Sequence, residues 1–95
     1  MISVLASTVN TIVFALLNHC SISPESITEL RELGSRAAAA TNLRNQRVEI
    51  TEVEGNDLLD LIDKHESIFA EQKINLTAER RDLVSGLMAK AKATR

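Results

Sequence analysis

The 95-residue chain has almost no aromatic residues, little turn-forming material and a single cysteine. Trp and Tyr are absent, and Phe14 and Phe69 are the only aromatic side chains. Three glycines and one proline are too few for the many turns of an all-β sandwich or barrel. One cysteine excludes an intramolecular disulfide framework and a zinc site built from several thiolates.

Long hydrophobic runs are missing as well. The longest continuous apolar run in the first half of the chain is only Ile12 to Leu17, whereas a membrane-spanning helix needs about 20 predominantly apolar residues. The first residues also lack the positive segment and the clear cleavage site of a secretory signal. We therefore expect a cytoplasmic protein without a membrane span.

The remaining composition is that of an ordinary globular protein. Hydrophobic residues make up 44% of the chain and charged residues 25%, so disorder throughout is excluded. A chain this short buries only roughly 60–65% of the surface that it exposes when unfolded. We expect one helical domain over residues 1–95, completed by homo-oligomerisation.

Charge is segregated into blocks, although the net charge is only −2. Residues 1–24 carry no charged side chain unless His19 is protonated, and residues 49–63 carry six acids and no base. Residues 33–48 carry bases only, namely Arg36, Arg44 and Arg47. Such blocks suit complementary surfaces within the fold or across an interface, although solvated helix faces would also produce them.

The first predicted helix covers residues 2–18 and has an apolar seam with heptad-like spacing. The seam consists of Ile2, Leu5, Val9, Ile12 and Leu16. Additional apolar residues, including Phe14, make the apolar surface broader than one neighbouring helix would cover. We therefore predict that these five seam residues form an oligomer interface.

The second predicted helix begins at Ser23-Pro24-Glu25, where the serine caps the helix and Pro24 takes its first position. Gly34 leaves two possibilities open. It either ends this helix in a left-handed cap or lies within a continuous helix and allows a close contact with another helix. The alanine-rich stretch predicts helix over residues 36–46 in both cases.

The second half of the chain predicts further helices. Val48 and Ile50 alternate with polar residues as in a strand, but a lone strand would have no partner, so we prefer a loop or a helix entry over residues 48–53. Thr51 and Glu54 have the spacing of a capping box, and Gly55-Asn56-Asp57 is a second possible helix start. This helix is predicted to reach about residue 72, and Thr77 to cap a final helix. The fold class is therefore all-α, a bundle of four or five short helices.

Catalytic and metal-binding patterns are incomplete. The acids Asp57, Asp60 and Asp63 spread around a helix, and His65-Glu66 lacks the second histidine of a zinc-protease motif. His19 and Cys20 are adjacent in sequence and would diverge on a helix. We expect no enzymatic activity, no metal and no cofactor.

Two functional hypotheses remain. The preferred one is a protein–protein interaction module, a regulator that binds and masks a target protein as inhibitors, antirepressors or anti-activators do, with Arg36, Arg44 and Arg47 as partner-binding residues. These arginines would cluster within about 80° on a continuous helix. The alternative is a sequence-specific DNA-binding protein with a helix-turn-helix-like segment at residues 26–47, in which Gly34 is the turn residue.

Overall fold

The computed structural model describes residues 1–40 and 46–93, with side chains up to residue 91. The prediction of a mostly helical fold is confirmed, since this part of the chain forms five helices and one small sheet. The elements are β1 (Ile2–Leu5), α1 (Ala6–His19), α2 (Pro24–Ala40), β2 (Arg47–Ile50), α3 (Glu52–Lys64), α4 (Glu66–Glu71) and α5 (Thr77–Ala93).

The sheet is the main departure from the predicted all-α fold. Strands β1 and β2 pair antiparallel, with Ile2 opposite Ile50 and Val4 opposite Val48. These four side chains are buried because successive residues of a strand point to opposite faces. The predicted helix at residues 2–5 and the preferred loop or helix entry at residues 48–50 are both wrong, since each segment supplies the hydrogen-bonding partner that the other needs.

Helix α2 runs without interruption through Gly34, so there is no turn at that position. A Cβ atom at Gly34 would lie 3.4 Å from Cγ1 of Val13, so the glycine provides close packing of α2 against α1. The helix begins as predicted, with Ser23 Oγ accepting from the Ser26 amide at 3.4 Å. The predicted helix at residues 36–46 is confirmed only to Ala40; positions 41–45 lie outside the described residues, and Gln46 has a φ of 49°.

Helix α3 starts at the predicted capping box. The Glu54 amide donates to Thr51 Oγ1 at 3.0 Å, and the Thr51 amide donates to Glu54 Oε1 at 2.8 Å. Gly55 therefore lies inside the helix and does not start it. The predicted helix to residue 72 is divided at His65, whose buried ring donates from Nδ1 to the Leu61 carbonyl at 2.9 Å.

Helix α5 closes the core against the sheet. At its start the Thr77 amide donates to Asn75 Oδ1 at 2.9 Å, so Asn75, and not Thr77 as predicted, supplies the cap. Gly86 allows the close approach, since a Cβ there would lie 3.3 Å from Cγ1 of Val4 and 3.4 Å from the Ser3 carbonyl oxygen. Within the described residues, no helix combines the length and apolarity that crossing a membrane requires.

The contact at Gly86 leads to a prediction for stability. Gly86→Leu places a branched side chain against β1, and overpacking of this kind lowers the free energy of unfolding by about 1–3 kcal/mol. The matched control Ser85→Leu changes the neighbouring, exposed position of the same helix, and such surface changes stay within about 0.5 kcal/mol. Urea unfolding followed by circular dichroism measures both; equal stability of the two variants would contradict the prediction.

Candidate protein-interaction surface

Four of the five residues predicted for an oligomer interface lie in the core of the single chain. Ile2, Val9, Ile12 and Leu16 are almost completely buried, whereas Leu5 is 41% exposed. The predicted seam is partly wrong in structure, because Ile2 and Leu5 belong to β1 and not to α1. The apolar surface that we expected a second subunit to cover is covered by the chain's own helices and sheet.

The start of α1 is capped from another element. No side chain at Leu5, the residue before the helix, caps it. Instead, Asp82 of α5 accepts a hydrogen bond from the Leu5 amide and one from the Thr8 hydroxyl, both at 2.8 Å on Oδ2. A carboxylate at this position complements the positive N-terminal end of the helix and fixes α5 beside α1.

The outward side of α1 is a helix surface without charge. Four of its exposed residues follow one another at spacings of four, three and four, namely Ser7, Thr11, Phe14 and Asn18, and His19 is exposed at its end. The helix contains no Asp, Glu, Lys or Arg. Phe14 is 66% exposed.

A groove lies between this side of α1 and the segment that leads into α5. Two adjoining cavities of about 440 and 230 Å³ form it, and Thr11 lines both. The larger cavity is the mainly apolar end of the groove, lined by Phe14, Ala15 and Ile74, with Asn10 and His19 beside them. The smaller cavity is the acidic end, with Ser7, Glu79 and Asp82. We call this feature the α1 groove.

Glu79 leaves the acidic end of the groove with an unfilled hydrogen-bonding position. Its Oε2 atom is shielded from solvent and accepts no hydrogen bond from any described residue. Buried polar atoms nearly always have a partner, and a carboxylate is best satisfied by a charged donor. The acidic end is therefore suited to a positively charged side chain.

Arg36, predicted to bind a partner, instead joins two helices of the same chain. Its guanidinium donates to both carboxylate oxygens of Glu54 at 3.1 and 2.7 Å, and to Glu32 at 3.1 Å. Burial alone would raise the pKa of Glu54, but the hydrogen bonds from Arg36 and from Thr51 lower it below its usual value. Arg36 thus connects α2 to the capping box of α3.

The three predicted arginines do not form one cluster on a continuous helix. Arg47 lies on β2, where Nε donates to Ser3 Oγ at 2.9 Å and a terminal nitrogen to the Ser3 carbonyl at 3.0 Å. Arg44 lies outside the described residues. The predicted cluster required helix through residue 47, and the return of the chain into the sheet separates Arg47 from Arg36.

A pair of carboxyl groups faces across α2 and α3 near the Arg36 contact. Burial raises the pKa of Glu29 above its usual value, and the charge of Asp57 and a hydrogen bond with that side chain raise it further. Asp57 is therefore not simply part of a solvated acidic face. Among the described residues, no three His, Cys, Asp or Glu side chains come together to hold a metal ion.

The adjacent His19 and Cys20 lie at the C-terminal end of α1. His19 is exposed, whereas Cys20 is half-buried, and burial raises the pKa of the Cys20 thiol. A nucleophilic cysteine requires the opposite change, because the thiolate is the reactive form. The pair is not arranged as an activated nucleophile.

Sequence reasoning missed Asp82 and Glu79. Both lie on α5, and the residues of β1 and α1 beside them are more than 60 positions away in the chain, so no local spacing could reveal them. Phe14 was noted only as additional apolar surface. The available signal was the lack of charge over residues 1–24, which marks the outward as well as the inward side of α1.

Comparison with family models, with curated proteins and with solved structures finds no match to this chain.

The Arg36 contact predicts a loss of stability on charge reversal. Arg36→Glu removes the hydrogen bonds to Glu54 and places a third acid beside Glu32 and Glu54, which should lower the free energy of unfolding by about 1–2 kcal/mol. Arg31→Glu, at an exposed position of the same helix, is the control and should change it by less than about 0.5 kcal/mol. Chemical unfolding at neutral pH measures both variants. An unchanged unfolding midpoint for Arg36→Glu would refute the role of Arg36 in holding α2 to α3.

The carboxyl pair predicts a pH-dependent gain. Because the folded-state pKa of Glu29 is raised, its ionisation opposes folding at pH 7, and this unfavourable contribution is relieved as pH falls through that pKa. Glu29→Gln should therefore raise the free energy of unfolding at pH 7 by about 0.5 kcal/mol, the size of a like-charge pair. The gain should vanish near pH 3, where Glu29 is protonated, and a gain that persists there would be inconsistent with this origin.

Proposed function

We propose that the chain is a non-enzymatic protein–protein interaction module that acts as a regulator by covering a surface of its partner. The observation that carries the proposal is Phe14, which is 66% exposed on a helix without Asp, Glu, Lys or Arg. Cores of protein interfaces are depleted of charge and enriched in aromatic side chains. The side of α1 around Phe14 has that composition.

The α1 groove adds shape to this surface. A binding partner can place an apolar side chain beside Phe14 and Ile74 in the cavity of about 440 Å³. Polar groups of the neighbouring cavity, among them Glu79, can fix the orientation of the same partner. Central apolar anchors contribute most of the binding free energy in such contacts, while the surrounding polar residues exclude water.

The proposal replaces the predicted arginine surface by the α1 groove. Arg36 is bound to Glu54 and Glu32, so a partner that recruited it would have to break contacts within the fold. The DNA-binding alternative requires a turn at Gly34, but Gly34 lies inside the continuous helix α2.

The experiment is affinity capture from the native host after chemical cross-linking, with wild-type protein and a Phe14→Asp variant. We expect a stoichiometric protein to be captured by the wild type and lost with Phe14→Asp, because a carboxylate in an apolar contact is costly. Val53→Asp is the matched control, since Val53 is 68% exposed and lies on α3, away from the groove.

Thermal unfolding accompanies the capture. Phe14 and Val53 are both largely exposed, so neither variant should lower the melting temperature by more than a few degrees. Equal capture by wild type and Phe14→Asp, or no captured protein with any variant, would refute the proposed function.

A further inference from the structure

The outward side of α5 carries a charge opposite to that of the acidic end of the α1 groove. Arg81, Val84 and Met88 are exposed and follow one another at spacings of three and four, so they form one ridge along the helix. Val84 is 38% and Met88 57% exposed. Among the described residues Arg81 has no ion pair. We call these three residues the α5 ridge.

We propose that the α1 groove binds the α5 ridge of a second copy of this chain, so that two copies form a two-fold symmetric dimer through two identical contacts. The proposal rests on the proposed function and names the partner of that surface. The self-association expected from the thin core then uses the outward side of α1 and not the buried seam.

Charge and polarity match along the length of the contact. The groove offers Glu79 at one end and Phe14 at the other. The ridge offers Arg81 at one end and Met88 at the other. Arg81 of the second copy would supply the donor that Glu79 lacks, once the Glu79 side chain rotates toward the cavity that it lines.

The spacing matches as well. Ser7 at the acidic end and Phe14 at the apolar end are seven residues apart on α1, and Arg81 and Met88 are seven residues apart on α5. Seven residues of helix span about 10 Å in both cases. A ridge with its arginine beside Ser7 therefore brings its methionine to Phe14, with Val84 near Thr11 between them.

The required direction of the second α5 agrees with two-fold symmetry. Within one chain α5 runs antiparallel to α1, because Asp82 contacts Leu5 and Thr8 at the start of α1 whereas Ile74 lies beside His19 at its end. The incoming α5 must run parallel to α1 to match arginine with the acidic end. It is then antiparallel to the first α5, which is the relation that a perpendicular two-fold axis produces.

Exchange of the two charges tests the contact. The single variants Glu79→Arg and Arg81→Glu each place like charges together at both contacts of a homodimer, which should weaken it about tenfold or more. In an equimolar mixture, a mixed dimer has one native contact and one with the charges exchanged, so dimerisation should return. Sedimentation velocity over a micromolar concentration series gives the mass, and native mass spectrometry identifies the mixed dimer.

Controls separate the contact from general effects of charge and folding. Glu71→Arg and Arg31→Glu change charge at exposed positions of α4 and α2 and should leave the dimer unchanged. Thermal unfolding reports whether the charge reversals impair folding. If they do, the milder variants Glu79→Gln and Arg81→Gln replace them, and each of these should also weaken the dimer.

The outcomes are distinct from those of the proposed function. A wild-type dimer, weakened singles and a restored mixture support the inference. A wild-type protein that stays monomeric, singles that still dimerise, or a mixture that stays monomeric overturns it. A monomer that nevertheless captures a different protein through Phe14 would overturn the dimer while leaving the proposed function intact.

Discussion

Antiparallel pairing of residues 2–5 with residues 47–50 forms the sheet on which α1, α2 and α5 pack. The inner side of the pair buries Ile2, Val4, Val48 and Ile50, and α5 lies so close to it that a Cβ atom at position 86 would come within 3.3 Å of Val4. The same strand leads directly into α1, whose first turn Asp82 caps. The sheet thus provides the surface on which the helices of this thin core pack.

Local signals in the sequence predicted the ends of helices better than their partners. Ser23-Pro24 and the Thr51–Glu54 capping box lie where expected, because the atoms involved are within a few residues of one another. The strands were missed for a connected reason. Ile2 and Leu5 continued a helical seam with Val9, and this assignment removed the only partner available to Val48 and Ile50. The sequence Ile-Ser-Val-Leu at residues 2–5, in which a polar residue separates two apolar ones, favoured a strand over a helix.

The candidate surface was predicted less well than the fold. The sequence shows which residues are charged but not where an ion pair closes, so Arg36 was assigned to a partner although it binds Glu54 of its own chain. The lack of charge over residues 1–24 was noted, but it does not show which side of α1 is exposed. Which residues of α1 are buried and which are exposed depends on contacts between α1 and α5, and these contacts join residues that are remote in sequence.

The capping of α1 by Asp82 also orders events during biosynthesis. The two residues that form the hydrogen bond, Leu5 and Asp82, are 77 positions apart, which corresponds to about 4–15 s of translation. During that interval α1 is made but lacks its cap and the helix that borders its groove, and β1 has no strand partner until residues 47–50 are made. The part of α1 that α5 covers is then exposed together with Phe14 on the nascent chain. Apolar surface exposed during this period of synthesis makes the incomplete chain prone to aggregation until α5 is made.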